Sequence, residues 1–384
     1  MAKREYLTAM RRRYRKAGGR ADKSRILDEI CATTGYNRKH AIRSMREPPR
    51  QTRSATRGRR PLYRDPVLLK ALKAIWMTGN LPCSKRLKAM IPIWLPHYEQ
   101  LHGELDVEIR DKLLAISPAS IDRLLSAPRK TLRTKGRCTT KPGGLLRAQI
   151  PIQTAQWQQT KPGFLEADTV SHCGGIGSGQ FAFTLDCVDI ATGWTEQRAI
   201  WCKGAEGVRK QMRSIERNLP FILLGFDADN GSEFINETLM RHFLSRQRPV
   251  VFTRSRAYHK DDNAHVEQKN WTHVRQWVGY QRIAIPEAVA VLNSIYENEW
   301  RLFHNLYCPS VKLIEKRREG SKLIRVHDAP KTPYQRVMES AHVNDYNKRG
   351  LKEIYEKTNP FTLRRAIDTR FRKLKKLLNS AEKK

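Results

Sequence analysis

Phe221-Ile222-Leu223-Leu224-Gly225-Phe226-Asp227-Ala228-Asp229-Asn230-Gly231-Ser232-Glu233-Phe234 is the stretch that decides the fold. An apolar run at 221–226 is cut off by acids and turn formers. That pattern predicts a buried strand that delivers carboxylates to its carboxyl end. Upstream, residues 164–170 predict another strand, with Asp168 near its end. Residues 181–188 and 194–201 predict two more, joined by the turn sequence Asp189-Ile190-Ala191-Thr192-Gly193. Residues 204–218 read as a helix with Val208, Met212 and Ile215 inward. Downstream come a helix at 237–246, a short strand at 250–252, and Asp261-Asp262-Asn263-Ala264-His265-Val266-Glu267. Ala264, Glu267, Trp271, Val274 and Val278 then recur at helical spacing, one face to lie on the sheet. A helix over 286–303 closes an α/β core, a mixed five-stranded sheet covered by helices.

The candidate chemistry rests on acids from separate elements: Asp168, Asp229 and Glu267. Magnesium prefers oxygen ligands and takes one or two carboxylates besides waters and phosphate oxygens. Two such ions about 3.5–4 Å apart serve an in-line displacement at phosphorus, one at the attacking oxygen and one at the leaving oxygen. A shared carboxylate with one more on each side requires three acids on three elements.

Charge points the same way. The chain of 384 residues carries 73 Lys and Arg against 38 Asp and Glu, a net charge of +35. The surplus lies in residues 1–150 (net +23) and 301–384 (net +13), while residues 151–300 are near neutral at −1. A neutral body between basic arms fits a catalytic core with polyanion-gripping flanks, and disfavours a uniformly basic ribosomal-type protein. The scattered cysteines, 7 in all, form no CxxC pair. A reducing, cytoplasmic and nucleoid-associated setting is expected, with no zinc module, disulfide framework or membrane span.

The flanks read as helical. At 1–47, a basic arm or first helix precedes a helix capped by Ser24, with Ile26, Leu27 and Ile30 inward. After Gly35, Asn37 caps a second helix with Ala41, Ile42 and Met45 inward and Arg38, Lys39 and Arg43 outward. This matches a helix-turn-helix whose second helix reads DNA. The linker at 48–64 carries Arg57, Arg59 and Arg60, suited to a minor-groove arm or to solvent. Residues 65–126 predict a second helical DNA-binding domain, with Ser117-Pro118 opening a helix that turns Arg123 outward. A basic linker spans 127–161, the core 162–305, and a basic, mainly helical tail 306–384, irregular over 307–333.

Together these motifs resemble the catalytic core of DDE transposases and retroviral integrases. The resemblance covers about 160–305 and is carried by Asp229-Asn230-Gly231-Ser232-Glu233-Phe234, by Asn263 four residues before Glu267, and by the strand acid Asp168. It implies an RNase H-like fold and an Asp, Asp, Glu triad (Asp168, Asp229, Glu267) holding two Mg²⁺ or Mn²⁺ ions. The helical modules ahead of it make the chain look like a bacterial insertion-sequence transposase, homo-oligomeric on element ends and target DNA. Where many members place a basic DNA contact after the Glu, this chain has Trp271, so Lys269 and Arg275 are the expected contacts. Two alternatives stay open: a catalytically inactive DNA-binding regulator of the same fold, and an RNase H-type nuclease.

Overall fold

The computed structural model describes residues 3–46, 62–131, 161–229, 231–255 and 264–381. They divide into two compact units, Met1–Leu62 and Tyr63–Lys384. The linker arginines Arg57, Arg59 and Arg60 and the motif residues Asn230 and 261–263 lie outside the described residues.

The first unit is three helices, α1 (Lys3–Lys16), α2 (Arg20–Thr34) and α3 (Arg38–Arg46). Met10 of α1 is buried with Ile26, Leu27, Ile30, Ala41 and Met45, so the N-terminal segment is an integral helix and not a loose arm. Ser24 does not cap α2. That helix begins four residues earlier, directly after the two glycines at 18–19, and the Ser24 hydroxyl accepts from Arg38 at 2.6 Å. Asn37 does cap α3, accepting from the His40 amide at 2.8 Å. Gly35, at φ 70°, ends α2 in the left-handed conformation that glycine adopts without steric cost. On α3, Arg38 is engaged by Asp28 and Ser24, while Lys39 and Arg43 are exposed.

The second unit opens with helices α4 (Pro66–Thr78), α5 (Ser84–His102), α6 (Val107–Ala115), α7 (Pro118–Leu124) and α8 (Ser126–Thr131). Asp65 caps α4 by accepting from the Val67 amide at 2.7 Å, and Ser117 caps α7 through the Ser120 amide at 3.2 Å. Strands β1 (Phe164–Ser171), β2 (Ala182–Asp189) and β3 (Thr195–Trp201) follow, then α9 (Ala205–Asn218), β4 (Gly225–Ala228), α10 (Glu237–Leu244) and β5 (Val251–Arg254). Helix α11 (Ala264–Lys269) runs through a π-helical turn, Asn270–Arg275, into α12 (Gln276–Val278). Likewise α13 (Glu287–Ile295) runs through a π turn, Tyr296–Trp300, into α14 (Arg301–Tyr307). A hairpin of β6 (Leu313–Glu319) and β7 (Lys322–His327) precedes α15 (Pro333–Glu339), α16 (Asp345–Lys357) and α17 (Pro360–Ala381). The hairpin corrects the irregular reading of 307–333; Gly320, at φ 60°, makes its turn.

The main sheet has strand order β3-β2-β1-β4-β5, with β1, β2 and β3 antiparallel and β1, β4 and β5 parallel. This is the mixed five-stranded sheet that the sequence implied. Alternate side chains of each strand go to opposite faces. Leu165, Phe183, Leu185 and Phe226 pack with α9 and α10, and Val170, Ala182 and Ala199 with α13, α14 and α17.

Helices α4 to α7 share that second core, so residues 65–126 are not set apart from the sheet unit. Trp94 of α5 shows the join. It is fully buried, its indole N–H donates to the Tyr307 carbonyl at 2.8 Å, and it meets Phe303 and Phe361 edge-on. Trp94→Ala is expected to cost about 3–5 kcal/mol, as large-to-small changes in a tight core do. Urea unfolding checks this, and a cost below about 1 kcal/mol would show a separable helical domain.

Candidate active site

The site is built where the sheet changes direction. Chain leaves β1 toward β2 on one side and β4 lies on the other, and ligand sites of open α/β sheets sit at the carboxyl ends of strands at such a switch point. Ala167 pairs with Ala228 across parallel β1 and β4. Asp168 and Asp229 are the next residue of each strand, so the register alone sets the two carboxylates side by side.

Each carboxylate is held by hydrogen bonds. The Asp168 carboxylate accepts from the Thr169 amide at 2.7 Å and from the Asn270 side-chain amide at 2.6 Å. Asp229 accepts from the Gly231 amide at 3.0 Å, which fixes the turn after β4. A Cβ at Gly231 would stand 2.6 Å from the Glu233 carboxylate and 2.9 Å from the Asp229 carboxylate, so either side chain would have to shift to admit one. The close approach brings a third acid to the pair. Glu233 is buried, accepts from Thr169 Oγ1 at 2.8 Å, and receives Lys203 Nζ at 2.6 Å. Lys203 is aimed from the end of β3 by Cys202, a non-glycine residue at φ 57°, the kind of backbone strain that marks functional sites.

Burial and the neighbouring Asp168 charge push the Asp229 carboxyl up to about 7, with Glu233 adding to the rise and Lys203 opposing it. Burial also raises Asp168, against its two hydrogen bonds. The anionic pair is therefore short of positive charge, and its donors are all oxygen. That is the chemistry of a hard divalent cation, so Asp168 and Asp229 fit such an ion.

The helix that carries Glu267 reaches the same region. Glu166, two residues before Asp168 and fully buried, accepts from the His265 amide at 3.1 Å and the Val266 amide at 3.2 Å. A carboxylate on the first free amides of α11 stabilises that end of the helix and pins it to β1. Asn270, one turn after Glu267, closes the second tie to Asp168. Glu267 itself is exposed. Among the described residues, no three His, Cys, Asp or Glu side chains meet closely enough to hold a metal ion. The structure thus sets Asp168 and Asp229 side by side and ties the helix of Glu267 to Asp168, with the charge of Glu233 also bearing on the pair.

The helix face differs from the one expected. Val274 and Val278 are buried as the stripe implied, but ahead of them Val266 and Lys269 are buried while Glu267 is exposed, and Trp271 is half-buried. The π turn holds more residues than an α turn, so one 3-and-4 stripe cannot keep to a single face through it. Lys269, expected as a DNA contact, is buried; Arg275 is half-buried over the Tyr280 ring. Arg123 is exposed and bonds Ser120.

Sequence reasoning also missed Asp186, the antiparallel partner of Asp168 on β2. It is fully buried, accepts from Gln197 at 2.8 Å through one oxygen and leaves the other without a partner. Burial pushes its carboxyl up to about 7. A group that keeps its proton longer when folded makes the chain lose stability as pH rises from about 4, the unfolded value, to about 7. Asp186→Asn keeps the acceptor and removes the charge. Its gain in stability is expected to be absent near pH 4 and to grow to at most about 4 kcal/mol at pH 8. Urea unfolding at the two pH values checks this, and a pH-independent difference would contradict it.

No family model matches the chain. The uncharacterized protein y4rM of Sinorhizobium fredii (strain NBRC 101917 / NGR234) is 42% identical over 339 residues, covering 86% of this chain and 94% of that protein. Among solved structures, the catalytic core domain of BIV integrase matches over 47% of this chain and 96% of that chain, at 16% identity and a TM-score of 0.30. Among the described residues no helix is long and apolar enough to cross a membrane. With two fifths of its residues shared along nearly the whole of y4rM, the chain belongs to the same protein family as y4rM.

Proposed function

We propose that the chain is a transposase that binds the ends of a mobile DNA element, cleaves at them and transfers the 3′ strands into target DNA. The observation that carries this reading is the Asp168–Asp229 pair at the strand switch point, with the helix of Glu267 tied to Asp168 through Asn270. Asp168, Asp229 and Glu267 would hold Mg²⁺ or Mn²⁺, two ions in the working complex. When bound, such ions supply activation of the attacking oxygen and stabilisation of the leaving one. The chain's own part is positional. The β1–β4 register sets the acid pair, Glu166 and Asn270 hold α11 against β1, and Lys203 offsets the charge of Glu233. The basic arms would grip the phosphate backbone and make binding fall steeply with salt.

The test is incubation of the full chain with its own element's ends, target plasmid and Mg²⁺, followed by mapping of cleaved and joined strands. Joined 3′ ends are the expected product. End binding without cleavage would favour a regulator, and cleavage confined to RNA–DNA hybrids a nuclease of the RNase H type.

The active form is proposed to be at least a dimer, since one chain supplies one triad and two ends must be processed. Asp168→Asn chains and chains lacking residues 1–62 should each fail to join ends alone, while their mixture recovers joining. A mixture as inactive as its components would count against it.

A further inference from the structure

Against α11 lies a small pocket that the proposed reaction does not use. It has a volume of about 40 Å³ and is walled by α5, α11 with its π turn, α14 and the loop after α4. Space of that size takes about three waters, or one oxyanion. Among the described residues, no aspartate or glutamate lines it.

Its walls carry two buried nitrogens without a hydrogen-bond partner among the described residues, and one lysine. Arg86 Nε is buried and has no hydrogen-bond partner. His304, 5% exposed, has an unpartnered Nε2. Lys269, 8% exposed, lines the same space. The His273 and His304 rings lie 4.1 Å apart, and the charges of Lys269 and Arg86 bear on both. The carboxylate whose charge reaches Lys269 is Asp186, which belongs to β2 and not to the pocket wall. Burying cationic and N–H groups with no acceptor is costly, and proteins keep such arrangements where something completes them. At the rim, Asn80 and Leu81 stand at φ 61° and 57°, and Asn80 donates to Gln276 at 3.1 Å across the mouth. A loop held in two consecutive left-handed non-glycine residues is stored strain, of the sort found at ligand clamps.

We propose that this pocket is a binding site for a single phosphate group, held by Arg86, His304 and Lys269. Phosphate suits the donor set because guanidinium pairs with oxyanions through directed hydrogen bonds. Bound there, it braces the helix that carries Glu267. The site is separate from the metal chemistry proposed above, and either can fail without the other.

The experiment is calorimetric titration of the full chain at fixed ionic strength, with inorganic phosphate in one arm. The second arm compares a 5′-phosphorylated oligonucleotide with its 5′-hydroxyl counterpart. Saturable binding of inorganic phosphate at one per chain shows a free anion as the source. Binding specific to the phosphorylated oligonucleotide shows a nucleic-acid phosphate. In either case Arg86→Gln and His304→Gln are expected to weaken it roughly tenfold, the loss of one charge-assisted hydrogen bond. Arg86→Lys should weaken it less, and Arg318→Gln on the exposed hairpin should leave it unchanged. Thermal unfolding of each variant separates lost binding from lost structure. Phosphate binding that is absent in both arms, or that is equally strong in folded Arg86→Gln and His304→Gln, overturns the proposal.

Discussion

Asp229→Asn is expected to lower DNA cleavage and strand joining by about a thousandfold or more while leaving binding to element ends intact. The same holds for Asp168→Asn and Glu267→Gln. Losing one ligand of a catalytic metal site removes several kcal/mol of transition-state stabilisation, and each 1.36 kcal/mol is about tenfold in rate. The informative control is Asp227→Asn. Asp227 and Asp229 alternate along one strand end, so by sequence either side chain can serve as the ligand there. The turn sequence Asn230-Gly231 and the family resemblance favour Asp229. In the folded chain Asp227 is buried and accepts from Thr253 Oγ1 at 2.5 Å, a side-chain tie between paired residues of β4 and β5. Asp229 instead stands half-buried beside Asp168. Asp227→Asn should therefore keep measurable activity in Mg²⁺ and show its effect in stability. Single-turnover joining assays on the four variants check this. A folded Asp227→Asn chain as inactive as Asp168→Asn, with Asp229→Asn active, would move the second ligand to Asp227.

Removing residues 1–62 is expected to lower affinity for element-end DNA by roughly a thousandfold at physiological salt, to the level of random duplex. The cut is placed by the structure. The first unit has its own core around Ile30 and Met45, and Lys39 and Arg43 lie exposed on α3. A fragment ending at residue 126, the boundary that helical patterning implied, would bare Trp94 and its neighbours, which belong to the second unit's core. The truncated chain should keep its thermal transition, and Lys39→Ala in the full chain should weaken end binding while reducing the salt slope by about one. Equal affinity of full and truncated chains for end DNA would remove the DNA-reading role from the first unit.

The sheet was legible because its strands announce themselves twice, by apolar runs and by the turn residues that end them. Three features escaped for physical reasons. The fourth strand starts at Gly225 and not at Phe221, because the Leu224 and Gly225 amides both turn to the Gly163 carbonyl, at 2.8 and 3.0 Å, before the ladder begins. Burial of Phe221 and Leu223 made the run look extended earlier than it is. The face of the helix was misread only ahead of the π turn at Asn270–Arg275, because periodicity assumes one α register throughout, while the buried positions are Val266 and Lys269 before it and Val274 and Val278 within and after it. The union of α4 and α5 with the tail is written only in distant contacts, such as Arg364 donating to the Thr78 carbonyl at 3.0 Å and Asn359 to Gln100 at 3.0 Å. In the site, the acids Asp168 and Asp229 were readable from strand ends. Their partners Glu166, Lys203, Glu233 and Asn270 were not, since lone polar residues carry no periodic signal, although three of them lie within four residues of a named acid.

The central claim is that Asp168, Asp229 and Glu267 hold one metal centre when DNA is engaged. The most direct measurement is anomalous diffraction from crystals of the full chain grown with Mn²⁺ and an element end. The predicted result is Mn²⁺ density coordinated by oxygens of Asp168, Asp229 and Glu267, abolished in Asp229→Asn. Crystals that hold the DNA end but show no Mn²⁺ between these carboxylates, or Mn²⁺ ligated by Asp227 or Glu233 in place of Asp229 or Glu267, would contradict it.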